Sequence, residues 1–350
     1  MNTRIEVNQK NNFHFLRLLF AFFVVITHSY AITGIKENDI LAQITNSQTT
    51  FSYIGVRGFF IISGFLIFQS LKRSENLLNY YWKRILRLFP ALIVVLLLTI
   101  IIGVFITEEN VTSYLKNRST WTYFLNNLTL YNLQFGIPSV INNDAINGSL
   151  WTIRYEFSFY VVISVFFFIR HETFLINKIL CFGLLLLIIG KFYIFPKLGI
   201  TGNAFAVSNS LNLGIYFISG SLLASLKICN IRNKNYLLFF TTSLLILSFY
   251  CEFFYFSQFI ILPILIITLG VISTRYIDSI SDNIGDISYG IYIYSFPIQQ
   301  ALKYTFHLKY LPLMGFSIFI SAFFGILSWH LIEKKALIFK NSIKSKTAIA

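Results

Sequence analysis

An all-α integral membrane protein, a polytopic bundle of about ten transmembrane helices, is what this sequence predicts. Two observations carry the prediction. Hydrophobic residues make up 56% of the 350-residue chain and charged residues only 12%, about half the charged fraction of a soluble domain. The apolar residues also fall in runs long enough to cross a bilayer, which takes about 20 mostly apolar residues. Such runs cover 13–33, 52–71, 88–107, 150–169, 179–195, 208–227, 236–253, 255–274, 287–306 and 311–332. The first carries Arg17 and His28 and has no small-residue cleavage site, so it reads as a membrane helix and not as a cleavable signal peptide. Segment 121–136 is aromatic but studded with Asn; it reads as an interfacial or re-entrant piece and is not counted as a span.

Charge sets the orientation. The net charge is +14, and the positive residues collect between spans. Residues 72–87 hold Lys72, Arg73, Lys83, Arg84 and Arg87; Arg232 and Lys234 follow the sixth span; Lys334, Lys335, Lys340, Lys344 and Lys346 follow the last. With an even helix count these lie on the same side as Arg4 and Lys10, which the positive-inside rule makes the cytosol. The excess of Lys and Arg is thus a topology signal and not a nucleic-acid footprint. The expected organisation is a cytosolic N-terminal tail over 1–12, a transmembrane domain over 13–335 and a basic cytosolic tail over 336–350. Cys181, Cys229 and Cys251 form no CxxC pair and imply neither a disulfide framework nor a metal site.

Ionisable groups inside spans are costly in lipid and mark function by default. Arg17 and His28 lie eleven residues apart, close to three helical turns, so they share a face at a spacing of roughly 16 Å. Arg17 falls near the cytosolic end and His28 near the outer end. Either Arg17 snorkels to lipid phosphate and His28 packs as a polar residue, or both line an aqueous cleft. The fourth span runs inward from Ser149-Leu150-Trp151-Thr152 to Glu156, which places Glu156 about two turns below the outer surface. That depth matches His28. A carboxylate orienting an imidazole makes a general-base pair, and Ser149, Thr152, Glu156 and Tyr160 fall on one helix face as a polar cleft wall. The alternative is a buried ion pair of Glu156 with Arg154 or Arg57. Arg57 lies near the outer end of the second span, where it can meet an anionic acceptor. Gly58, Ser63 and Gly64 of that span read as helix-packing residues.

Arg84 and Arg87 form an R-x-x-R pair on one face at the cytosolic mouth. Guanidiniums at this spacing grip phosphates through bidentate bonds, and Tyr80, Tyr81 and Trp82 stand ready to stack on a nucleotide base. An ordinary positive-inside loop accounts for the same residues. In the ninth span Ser288, Tyr292 and Ser295 share a face.

These elements in order resemble the bacterial membrane acyltransferase-3 family over about residues 12–335. They are Arg17-x10-His28, GVRGFFIISGF (55–65), Arg84-x-x-Arg87-Leu88-Phe89-Pro90, SLWTIRYEFSFY (149–160), GDISYGIYIYSFP (285–297) and Trp329-x3-Glu333. The resemblance implies an enzyme of the bacterial inner membrane. It would move an acyl group, usually acetyl, from cytosolic acyl-coenzyme A to a hydroxyl of a surface polysaccharide or lipid-linked glycan precursor. It implies catalytic roles for His28, Glu156 and Arg17, and a donor site at Arg84, Arg87 and Arg17 for acetyl-CoA as co-substrate. Acceptor contacts would come from Arg57, Ser149, Trp151 and Tyr292, no metal is required, and membrane lipids are the remaining partners. Two departures stand out: Ser295 where many members have His, and Lys335 where many have Pro after the last helix. A glycan or lipid transporter is the rival class for ten helices with buried charge. The acceptor, the acyl chain length and the oligomeric state stay open.

Overall fold

The computed structural model describes residues 11–141, 144–197, 205–274, 277 and 284–342; the predicted tails lie largely outside them. Among the described residues, ten helices overlap the ten apolar runs. They are α1 (Phe13–Ile32), α2 (Phe51–Arg73), α3 (Leu77–Ile106), α4 (Ile153–Ser164), α5 (Thr173–Ile189), α6 (Phe205–Ser225), α7 (Lys234–Tyr250), α8 (Phe254–Val271), α9 (Ser288–Phe306) and α10 (Tyr310–Ser328). Among the described residues, seven helical stretches are long and apolar enough to cross a membrane: Phe13–Ile32, Phe51–Arg73, Leu77–Ile106, Gly148–Phe167, Thr173–Lys197, Phe254–Val271 and Tyr310–Ile338. The other three long helices fall short for identifiable reasons. Helix α7 has only 17 residues. Helix α6 carries five Ser and two Asn. Helix α9 is rich in Ser, Tyr and Gln, and every residue from Ser288 to Ser295 is buried. A helix enclosed by protein needs no apolar surface, because lipid never meets it.

The outer surface is apolar instead. Phe319 is 78% exposed, Phe239 74% and Phe182 61%. An apolar girdle of this kind is incompatible with water and fits acyl chains. This is a multi-pass membrane protein.

Small residues set the tightest packing. A side chain at Gly64 of α2 would sit 2.0 Å from the Phe217 carbonyl oxygen of α6, and one at Gly220 of α6 would sit 2.1 Å from that of Ile61. The two backbones therefore touch, as small residues permit in membranes, and Ser221 Oγ donates to the Gly64 carbonyl (3.1 Å). The packing role expected of Gly64 holds.

Segment 121–136 resolves as well. Its helix, Arg118–Leu128, has 11 residues, too short to span. It packs beside α3, and Asn127 Nδ2 closes the following loop by donating to the Gln134 carbonyl (2.8 Å). At the other end of the chain, a wide turn over Trp329–Glu333 leads into a short helix, Lys334–Ile338. With Lys335 in place of Pro the backbone keeps its N–H and the helix continues. The turn after it packs against α3, where Trp82 Nε1 donates to the Phe339 carbonyl (3.0 Å).

Candidate active site

A cavity of about 230 Å³ opens between α2, α3, α4 and α9. Arg17, Arg84, Arg87, Glu156 and Tyr292 line it, five residues singled out in the sequence. Ser63, Thr152, Tyr160 and Tyr289 supply further polar wall, and Lys83, Leu337 and Lys340 border it near the N-terminal turns of α3.

The two arginines of the R-x-x-R pair have different surroundings. Arg87 is held by two carboxylates: Nη2 lies 2.6 Å from Asp286 and Nη1 3.1 Å from Glu333. Asp286 also takes Arg17 Nη1 at 2.5 Å and Ser288 Oγ at 2.6 Å, with His14 Nδ1 at 3.6 Å. Ser328 Oγ donates to Glu333 (2.9 Å). The result is a ladder Arg17–Asp286–Arg87–Glu333 joining α1, α3, the approach to α9 and the turn that follows α10. Two cations and two anions cancel, which is how buried charge is tolerated. Burial alone would raise the Asp286 pKa, but Arg17 and then Arg87 override it and hold the carboxyl well below the usual carboxylate range. The local backbone explains the placement. Gly285 adopts φ +81°, and any side chain there would strike Trp329 Nε1 at 2.0 Å; only glycine turns the chain so closely under that ring.

Arg84 is differently placed. Its guanidinium donates to Ser70 Oγ (3.4 Å), lies 5.9 Å from the ring centres of Tyr80 and Tyr160, and keeps a buried Nε with no hydrogen-bond partner. Among the described residues no carboxylate lies within ion-pair distance of it. Tyr80 and Tyr81, read in the sequence as base-stacking candidates, are occupied. Tyr80 is fully buried and donates to the Tyr160 carbonyl (3.0 Å), and Tyr81 shares a bond with Ser164 (2.7 Å).

Glu156 faces the cavity, as its helical phase predicts. Tyr160 Oη donates to it in a short hydrogen bond, and Ser63 Oγ approaches at 3.4 Å, so Ser63 joins the site and does not merely pack. Neither predicted alternative for Glu156 forms: it makes no ion pair with Arg57 or Arg154, nor does a hydrogen bond link it to His28. Thr152 Oγ1 and Tyr292 Oη share a hydrogen bond of 2.8 Å, which joins the wall that carries Glu156 to α9.

His28 lies beyond that wall. Its ring packs edge-on to Phe296 (5.2 Å), and its buried Nδ1 has no hydrogen-bond partner. The far side of Phe296 abuts Gly148, where an added side chain would meet the ring at 2.7 Å. Phe296 is four residues past Tyr292, and Gly148 four residues before Thr152. His28 thus does not line the cavity; it packs on a ring that lies one helical turn, roughly 5–6 Å, past Tyr292.

The remaining predicted acceptor residues do not line the cavity. Arg57 stacks on Tyr53 (3.1 Å to the ring centre) and donates to the Tyr53 carbonyl (3.2 Å). Ser149 is buried with an unpartnered Oγ, and Trp151 packs edge-on to Tyr155 (5.8 Å). Sequence reasoning in turn missed Asp286 as a member of the ladder. The signal was available: Asp286 is one of only 14 acidic residues in the chain and directly precedes an apolar run.

A family profile described as "Acyltransferase domain" matches residues 10–332, nearly the whole chain and all of this site. The chain belongs to the membrane acyltransferase-3 family. This acyltransferase is 28% identical over 344 residues to an O-acetyl transferase of Shigella phage Sf6, covering 95% of this chain and 97% of that protein. It is 30% identical over 162 residues to Nodulation protein 10 of Rhizobium leguminosarum bv. viciae, covering 45% of this chain and 44% of that protein. It is 27% identical over 181 residues to the peptidoglycan O-acetyltransferase OatA of Listeria monocytogenes, covering 44% of this chain and 27% of that protein. No solved structure matches it.

Proposed function

We propose that this acyltransferase moves an acetyl group from cytosolic acetyl-coenzyme A to a hydroxyl of a surface polysaccharide or lipid-linked glycan precursor. The reading places it in the bacterial inner membrane with both termini in the cytosol. The observation that carries it is the cavity itself. It runs from a basic border at Lys83 and Arg84 past the Glu156–Tyr160 pair to Thr152 and Tyr292, with His28 packed on Phe296 beyond. A thioester donor fits this gradient, with its phosphates on the basic border and its pantetheine arm against Phe59, Leu66 and Leu88. Arg84, with its unpartnered Nε, is the phosphate ligand of the R-x-x-R pair. Arg87 and Arg17 shape the wall, their charges being committed to Asp286 and Glu333.

In the transfer step the acceptor oxygen attacks the thioester carbonyl and the carbon–sulfur bond breaks. His28, through its free nitrogen, takes the hydroxyl proton and returns it to the coenzyme A thiolate. Tyr160 and Thr152–Tyr292 are hydroxyl donors on the walls where the carbonyl would sit. The acceptor reaches His28 from the outer face, past Phe296. The names of two relatives, an O-acetyl transferase and a peptidoglycan O-acetyltransferase, favour acetyl as the group and a glycan as the acceptor.

The test is incorporation of labelled acetyl from acetyl-coenzyme A into envelope glycan. Cells with the wild-type protein are compared with cells making His28→Ala at equal abundance. The expected result is loss of labelling. A fully active His28→Ala protein would remove His28 from the mechanism. Glycan translocation without any coenzyme A binding would point to a transporter instead.

A further inference from the structure

The segment that follows α10 borders the cavity through Leu337 and Lys340, and two of its surroundings are unusual. Lys334–Ile338 and the turn Phe339–Asn341 lie against α3, held by the bond from Trp82 Nε1 to the Phe339 carbonyl (3.0 Å). That position puts Leu337 and Lys340 on the border of the cavity, opposite Lys83 and Arg84. The charges there are lopsided. Lys83 feels Arg84, Lys340 and Arg73 as like charges and Glu75 as the single opposing one, and Arg73 in turn feels Arg84. Four cations gather here against Glu75 and, on the cavity side of Arg84, Glu156, an excess of positive charge that self-repulsion disfavours. The arginines deeper in the same cavity, by contrast, are neutralised one for one. Lys340 is an exposed side chain, free to bend over the opening.

We propose that the segment after the last membrane helix forms one jaw of a phosphate clamp, with Lys340 facing Lys83 and Arg84 across the cavity mouth. The clamp takes the multiply phosphorylated nucleotide end of the donor. This inference rests on the donor reading given above and adds to it a ligand group from the far end of the chain. The chemistry required is several phosphate oxygens carried on one molecule, since a single monovalent anion would leave most of the excess positive charge unopposed. A point-charge ammonium suits this role, because it follows a phosphate without demanding a fixed fork geometry. The anionic headgroups of the cytosolic leaflet are the other source of phosphate oxygens. A lipid would meet Lys340 from the membrane surface and would have no use for the cavity.

The experiment measures binding of coenzyme A and of pantetheine, which lacks the phosphates, to the full-length protein in nanodiscs. The nanodiscs are made first with zwitterionic phosphatidylcholine and then with phosphatidylglycerol added. Lys340→Ala is expected to weaken coenzyme A binding about 3–10-fold, the range for one partly exposed charge-assisted contact. It should leave pantetheine binding unchanged, and Lys340→Arg should restore most of the loss. Trp82→Phe, which releases the segment but removes no charge, should weaken coenzyme A in the same direction. Wild-type coenzyme A binding with an unaltered Lys340→Ala overturns the clamp and leaves the donor reading standing. Equal losses for coenzyme A and pantetheine mean distortion of the cavity and also overturn it. A loss seen only with phosphatidylglycerol present assigns Lys340 to lipid. A wild-type protein that binds pantetheine and coenzyme A equally well, or neither, overturns the donor reading and the clamp with it.

Discussion

Asp286→Asn is the perturbation that best separates a structural charge ladder from a ligand site. Asp286 is 7% exposed and takes Arg17 at 2.5 Å and Arg87 at 2.6 Å. The amide keeps the shape and one acceptor oxygen but removes the charge. Breaking a buried ion pair by deleting one partner costs about 3–5 kcal/mol, because the other charge stays buried and unopposed. Here Arg87 retains Glu333 at 3.1 Å, and Arg17 is 19% exposed, so the low end applies: about 3 kcal/mol at neutral pH. By the scaling for large domains this lowers the melting temperature by about 5–10 °C, readable as thermal aggregation of the detergent-solubilised protein. The pH dependence has a definite sign. A carboxyl held below its unfolded value of about 3.9 adds stability that is full above that pH and is lost as pH falls toward the folded value. The gap between wild type and Asp286→Asn should therefore be constant from pH 5 to 8 on the unit scale of about one titration and close on acidification below about pH 4. Adding Arg17→Gln to Asp286→Asn should cost less than Arg17→Gln alone, since the orphaned charge is then gone. A neutral-pH change under about 0.5 kcal/mol, or a gap indifferent to acid, would refute the ladder as a stabilising element.

The R-x-x-R pair should divide in the same way. Arg84→Gln is expected to weaken coenzyme A binding by about tenfold with little change in melting temperature, whereas Arg87→Gln lowers the melting temperature first; isothermal binding and thermal scans on both proteins check this. Gly64→Ala forces a Cβ to within 2.0 Å of the Phe217 oxygen and should cost about 1–3 kcal/mol as α2 and α6 separate. Thermal stability should fall by that amount, and unchanged stability would mean the two helices are looser than described.

Much of this architecture was legible in the sequence because lipid imposes a simple rule. Chain that meets acyl tails must be apolar and helical, so runs of hydropathy marked the helices, seven of which among the described residues are long and apolar enough to cross a membrane. The rule weakens where protein replaces lipid. Helix α9 is polar because it is buried on all sides from Ser288 to Ser295, and it therefore misses a hydropathy criterion that seven stretches meet. Helical phase likewise placed Glu156, Thr152 and Tyr160 on a single wall, since each lies four residues from the next. What phase does not carry is pairing between helices. The sequence offered Glu156 three partners, His28, Arg57 and Arg154; in the folded chain its bonds are to Tyr160 and Ser63.

The sequence by itself determined the class of molecule, the helix positions and the residues costly enough in lipid to need a reason. Only the tertiary structure decided which of those charges are spent on each other. Arg84 and Arg87 stand three residues apart and look equivalent in a string. Yet Asp286 lies 199 residues away and Glu333 246, and both turn toward Arg87. Opposite charges find each other across a bundle wherever the helix crossings bring them within a few ångströms, and those crossings are set by packing such as that of Gly64 against Phe217, which no local pattern records.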